Sequence, residues 1–187
     1  MPSDLPALLI IDMQKAMAHP AAGLRNNPDA EARIAELLTR WRELNWPLVH
    51  IRHMSTTPGS PFWPGQPGAE FQDAFAPQRG AHVVEKNVPD AIINTGLERW
   101  LRVRGITRLV IVGVSTNNSV ESTARTAGNL GFDTWVVSDA TFAFPKMDYA
   151  GTARSAEEVH AMALANLDRE YAVVMSTQDL LEDLAKP

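Results

Sequence analysis

Cysteine is absent from the 187 residues. Its absence excludes disulfides, cysteine-ligated zinc and thiol catalysis in this chain. No run of Lys or Arg occurs, and the formal net charge is −5. Such a chain presents no electrostatic footprint for nucleic acid or an anionic lipid surface. No apolar stretch approaches the ~18 residues that a membrane span requires. The opening, MPSDLPALLIID, lacks the basic and hydrophobic regions of a signal peptide, so a cytoplasmic location is expected by default. Internal repeats, low-complexity tracts and interdomain linkers are missing too. What is present is ordinary globular composition, 45% hydrophobic and 21% charged. At this length a single domain over residues 1–187 is expected, large enough to bury its core without covalent staples.

Six short runs rich in branched apolar residues punctuate the chain: ALLIID (7–12), PLVHIR (47–52), AHVVEK (81–86), RLVIVGV (108–114), DTWVVSDA (133–140) and YAVVMS (171–176). Near-continuous apolar strands alternating with helical stretches point to a parallel sheet covered on both faces. Ile34, Leu37, Leu38, Trp41 and Leu44 follow the i, i+3, i+4, i+7 pattern of a helix. Just before them, NNPDAE offers a cap, a proline at the first helical position and first-turn acids. TGLE at Thr95–Glu98 and SAEE at Ser155–Glu158 fit the capping box. Gly105 and Gly131 stand where helices must stop, and a last short helix is expected over TQDLLEDLA. Residues 54–80 are the exception, because Pro58, Pro61, Pro64, Pro67 and Pro77 forbid a continuous helix. Loops this long are often lids. Phe62, Trp63 and Phe71 would then cover a pocket at the carboxyl end of the second strand; the alternative is a proline-stiffened connection whose aromatics merely pack.

Three polar residues close buried strands: Asp12, Lys86 and, just beyond RLVIVGV, Ser119. In a parallel sheet all three fall at one edge and can converge on one pocket. An aspartate there can move a proton, and a lysine can anchor it or polarise a carbonyl. Taken singly, Asp12 reads as a cap and Lys86 as a surface residue. Ser119 stands at a sharp strand-to-helix bend, the geometry used to present one reactive side chain. With Asn118 as cap and Glu121 three residues on, Ser119 would be the first helical residue, at the positive end of the helix dipole. Asp139 reads only as a strand-end acid that fixes a loop.

LLIIDMQ, then the strand-end lysine of VVEKN, then GVSTNNSVESTARTAGNLGFDTWVVSDATFAF, in that order, strongly resemble the isochorismatase-like hydrolases, also called cysteine hydrolases. The resemblance runs from about residue 7 to residue 175. It implies a Rossmann-like α/β fold, a three-layer sandwich whose six parallel strands are ordered 3-2-1-4-5-6, and assembly as a homodimer or homotetramer. Carried over position by position, the family's aspartate matches Asp12, its lysine matches Lys86 and its nucleophilic cysteine matches Ser119. The resemblance also implies a cis peptide between Val114 and Ser115, with the backbone N–H groups of Ser115 and Ser119 forming an oxyanion hole. Substrate contacts are expected from His53, Phe62, Trp63 and Asn118.

Two departures stand out. Metal-binding members carry Asp and His after the second strand, whereas this chain has HIRHMS there. Neither His50 nor His53 reproduces that spacing, so no metal and no other cofactor is expected. An alcohol is also far less acidic than a thiol, and serine nucleophiles usually borrow a histidine. None adjoins the motif, which leaves His53 or His82 to be supplied by the fold. Three explanations of the serine stand open: a replaced cysteine, a natural residue in an enzyme working through water or acid catalysis by Asp12, or an inactive binding module. The expected activity is hydrolysis of a small-molecule amide-type C–N bond. The alternatives are vinyl-ether hydrolysis with Asp12 as acid and a silent small-molecule or protein-binding module.

Overall fold

The computed structural model describes residues 5–186. Six parallel strands form one sheet: β1 (Ala7–Ile11), β2 (Leu48–His53), β3 (His82–Lys86), β4 (Arg108–Val114), β5 (Asp133–Phe142) and β6 (Val173–Met175). Their spatial order is β3-β2-β1-β4-β5-β6, as expected. A two-residue antiparallel ladder, Lys146–Met147 with Ala153–Arg154, lies outside it. Among the described residues, six α-helices accompany the sheet: α1 (Lys15–Ala18), α2 (Ala30–Glu43), α3 (Leu97–Val103), α4 (Glu121–Asn129), α5 (Ala156–Leu167) and α6 (Thr177–Leu184). None of the described helices is long and apolar enough to cross a membrane.

The strand composition follows from coverage. β1 is buried along its whole length, because neighbours flank it and helices cover both faces. Leu9 and Ile11 point into one core with Val49, Ile51 and Ile111, closed by α3 and α4 through Leu97, Leu101, Ala124 and Ala127. Leu8 and Ile10 point into the other with Val110 and Val112, closed by α2 and α6 through Ile34, Trp41 and Leu180. Edge strand β3 instead alternates, with Val83 and Glu85 exposed and Val84 and Lys86 buried. That alternation turns Lys86 inward.

The capping box at Ser155 forms, and Gly105 and Gly131 follow their helices with positive φ (66° and 80°). The starts of α2 and α3 differ from the expected caps. α2 begins at Ala30 after Asp29, which makes no side-chain cap bond, and Pro28 lies outside the helix. The two asparagines before it serve β5: Asn27 Nδ2 donates to the Ser138 and Thr141 carbonyls (2.8 and 2.7 Å), and Asn26 Oδ1 accepts from Ala143 N (2.8 Å). β5 needs them because it bulges away from β4: Ile111 pairs with Val136, but Gly113 already pairs with Thr141. Thr95 Oγ1 donates back to the Ala91 and Ile92 carbonyls (2.7 and 3.1 Å) and accepts from Leu97 N (3.2 Å) rather than from Glu98 N, so α3 starts without a capping box.

β1 and β4 pack backbone against backbone at Gly113. Its φ is +115°, and a Cβ there would lie 2.1 Å from the Ile11 carbonyl oxygen. Only glycine fits, and the contact sets β4's spacing beside the end of β1. Gly113→Ala is therefore expected to destabilise the fold by about 3 kcal/mol or more, read from urea unfolding.

Candidate active site

The chain leaves β1 through Asp12 in the left-handed region (φ 53°), with Asp12 N–H on the Ile51 carbonyl (2.9 Å) and Gln14 N–H on the Asp12 carbonyl (2.7 Å). This turn aims the Asp12 side chain across the carboxyl ends of the strands. Lys86, at the end of β3, donates from Nζ to Asp12 Oδ2 at 2.7 Å and to Ser119 Oγ at 3.2 Å. Residues scattered over more than a hundred positions thus meet in one cluster. The Lys86 and Asp12 side chains are 0% and 2% exposed. Asp12 Oδ1 is buried without a hydrogen-bond partner. Burial pushes the Asp12 carboxyl above its ordinary range, against the downward pull of the Lys86 charge and hydrogen bond and, more weakly, of Ser119 and His53.

Ser119 sits in a wider turn than the sequence suggests. The Val114–Ser115 peptide is cis, and residues Thr116–Val120 form a π-helical turn capped by Ser115. The Val120 and Asn118 N–H groups both reach the Ser115 carbonyl (3.2 and 3.1 Å). Asn118 is thus an exposed member of the turn rather than the helix cap, and Ser119 precedes α4 rather than opening it. Glu121 binds Arg125 (2.8 Å) instead of completing a capping box. Behind the turn, Thr123 Oγ1 donates to the Ser119 carbonyl (2.7 Å) and accepts from Ala91 N (3.0 Å). Buried His160 of α5 meets Thr116 Oγ1 through Nδ1 at 2.8 Å.

His53 lies close enough to feel both charges. Burial first, then Lys86, lower its pKa, while Asp12 and the Val88 backbone oppose them, so the imidazole is neutral near pH 7. Phe62 meets the His53 ring edge-on at 6.0 Å. Trp63 is half-buried in the next turn, its backbone N–H on the Ser60 carbonyl (2.9 Å). Phe71 belongs to the plainer reading of the long loop: it packs edge-on against His50 (5.9 Å) and beneath Arg52 (5.5 Å). His82 is not brought to Ser119, since it stacks on Trp100 at 4.3 Å at the far end of β3. Asp139 holds the first turn of α6, accepting from Thr177 N and Oγ1 (2.8 Å each). Among the described residues, no three His, Asp or Glu side chains are grouped to hold a metal ion.

Sequence reasoning missed Gln14. It is fully buried, and its amide is saturated: Nε2 donates to the His53 and Ala69 carbonyls (2.8 and 2.9 Å), and Oε1 accepts from His53 N (2.8 Å). Gln14 therefore clamps the end of β2 and the long loop to the segment carrying Asp12. The available signal was an amide two residues after the strand-end aspartate, in LLIIDMQ.

The Isochorismatase domain profile matches residues 6–179. The chain belongs to the isochorismatase family. A Bacillus subtilis (strain 168) relative, the uncharacterized isochorismatase family protein YrdC, is 39% identical over 180 residues, 96% of each chain. An isochorismatase-family protein of known structure from Chromobacterium violaceum ATCC 12472 superposes with a TM-score of 0.94 at 50% identity, over 98% of this chain and 95% of that one. The ureidoacrylate amidohydrolase RutB of Methylobacterium radiotolerans is 30% identical over 204 residues, covering 89% of this chain and 74% of its own.

Removing one member of a buried ion pair leaves the other charge stranded, which typically costs about 3–5 kcal/mol. Lys86→Met is expected to lose that much at neutral pH in urea unfolding, and Asp12→Asn/Lys86→Met to recover much of it. Without Lys86 the carboxyl binds its proton more tightly folded than unfolded. The single variant should therefore be most stable at low pH and weaken as pH rises through the raised folded pKa.

Proposed function

We propose that this isochorismatase-family hydrolase cleaves a small-molecule amide-type C–N bond, with Ser119 as nucleophile, Asp12 as proton carrier and Lys86 as the charge that steadies both. The observation that carries the reading is the buried Lys86 ammonium, in contact with the Asp12 carboxylate and the Ser119 hydroxyl at once. The amidohydrolase named among the relatives agrees with it. In this scheme Ser119 Oγ attacks the carbonyl carbon while its proton passes to Asp12, whose Oδ1 is the unpartnered oxygen. The Ser115 and Ser119 amides hold the oxyanion, each such donor contributing about 3–4 kcal/mol in comparable sites. Asp12 then protonates the departing amine as the C–N bond breaks. Water attacks the resulting ester with Asp12 as base, releasing a carboxylate and restoring the serine hydroxyl. His53, Phe62, Trp63 and Asn118 would contact the substrate.

The raised pKa of Asp12 favours a second reading, in which a protonated Asp12 donates to a vinyl ether and Ser119 is a bystander. The pH dependence has opposite signs in the two readings. A base must be ionised, so amidase activity should fall on the acid side along a limb above the ordinary carboxylate value of 3.8. Acid catalysis should instead rise as pH falls through the same range.

Ser119→Cys, assayed for amine release on a panel of small amides, should raise kcat/KM at least about tenfold, because a thiolate is formed far more readily than an alkoxide. Asp12→Asn should lower it about 10²- to 10⁴-fold. Indifference at Ser119 with loss at Asp12 would transfer support to vinyl-ether hydrolysis. No turnover in either background, with ligand binding untouched by both changes, would leave a binding module.

A further inference from the structure

At the opposite end of the sheet is a cleft of ≈ 610 Å³ that the proposed chemistry does not use. It lies at the amino ends of β2 and β3, between the turn after α2, the end of the long loop and the last turn of α3. His82 is on its wall, and Lys86 stands four residues further along the same strand, about 13 Å away at 3.3 Å per residue.

Its charge is one-sided. Arg42, Arg79 and Arg104 line it, and no Asp or Glu does. Of the 17 Lys and Arg side chains, those without a carboxylate partner among the described residues are Arg42, Arg79, Arg99, Arg104 and Lys146. Three of these unpaired cations thus collect in one cleft of a chain whose net charge is −5. Like charges gathered without counterions repel, an arrangement that an anion relieves.

The cleft also holds unsatisfied polar atoms. His50 is 0% exposed, and neither of its ring nitrogens has a hydrogen-bond partner; His82 Nε2 is likewise buried and unpartnered. The Phe75 backbone lies near the His50 ring without completing a hydrogen bond. Buried polar atoms of this kind normally find partners. Burial first, then Arg42, lowers the His50 pKa to about 4, and burial with Arg104 lowers that of His82, so both rings are neutral near pH 7 and each keeps one N–H to donate.

Aromatic side chains complete the site. His82 and Trp100 stack at 4.3 Å with 6° between their planes, and the Arg104 guanidinium lies 4.3 Å from the Trp100 ring centre. Trp46 forms another wall. We propose that this cleft is a binding site for a small organic carboxylate carried on a planar ring, the carboxylate held by Arg79 and Arg104 and the ring laid beside Trp46, Trp100 and His82. A guanidinium matches a carboxylate with two parallel hydrogen bonds, and an aromatic ring packs against aromatic walls, edge-to-face as well as stacked.

Benzoate is the probe, followed by the NMR ring signals of His50, His82 and His53 and the indole signals of Trp46 and Trp100. Saturable shifts centred on His82 and the two indoles are expected. Benzamide and inorganic phosphate, each lacking one half of the ligand, should bind at least about tenfold more weakly. Arg79→Gln and Arg104→Gln, both at exposed positions, should each weaken benzoate about tenfold, the loss of one charge-assisted contact. Three results would overturn the assignment: shifts that follow His53 instead of His82, benzamide binding as tightly as benzoate, or no saturation at all. Sedimentation run alongside separates a fourth. If the arginine variants dissociate an oligomer and benzoate has no effect on either form, the cleft is a contact between copies of the chain.

Discussion

The buried contact between Lys86 and Asp12 is the constraint around which the carboxyl edge of the sheet is organised. Two ions taken out of water lose hydration that only close approach and further hydrogen bonds can offset. At 2.7 Å the pair meets the first condition, and the Ser119 hydroxyl takes part of the second. Asp12 Oδ1 is left unmet, and burial outweighs the lysine in setting the aspartate's proton affinity. The carboxyl is thus held buried, half-satisfied and next to a hydroxyl.

Everything that positions this cluster is backbone-deep. Asp12 emerges from the most thoroughly covered strand, Lys86 from an edge strand whose alternation faces it inward, and Ser119 from a π turn tied back to Ser115. Gly113 sets the spacing between the first and last of these, since any side chain there would strike the Ile11 carbonyl. Gln14 joins the end of β2 to the long loop. The loop divides its aromatics accordingly: Phe62 stays beside His53, whereas Phe71 and Phe75 pack away from the cluster, Phe75 as a fully buried part of the α2-side core.

The two ends of the sheet differ electrostatically. At the carboxyl end a cation and an anion neutralise each other inside the protein. At the amino end of β2 and β3 three arginines and no carboxylate line one cleft, beside histidine nitrogens that lack partners. The first arrangement balances its charge internally, and the second calls for charge from outside.

Much of this was legible in the chain itself. Runs such as ALLII and RLVIVGV determine which segments are strands, because only a strand covered on both faces is apolar at every position. Polar residues stationed at the ends of such runs can be expected to meet, since parallel strands deliver their carboxyl ends to the same side. Periodicity reports burial, but it does not say what a polar side chain will bond to once buried. The asparagines before α2 look like caps and instead satisfy a bulge in β5 more than a hundred residues away; Thr95 turns back upon its own turn; His82 chooses a tryptophan rather than the serine. Each outcome depends on which carbonyls and rings packing leaves nearby. The sequence by itself determined the strands and the residues at their ends, with the family resemblance adding their order, whereas the tertiary structure alone decided the partners of those residues, because hydrogen bonds and ion pairs form between neighbours in space.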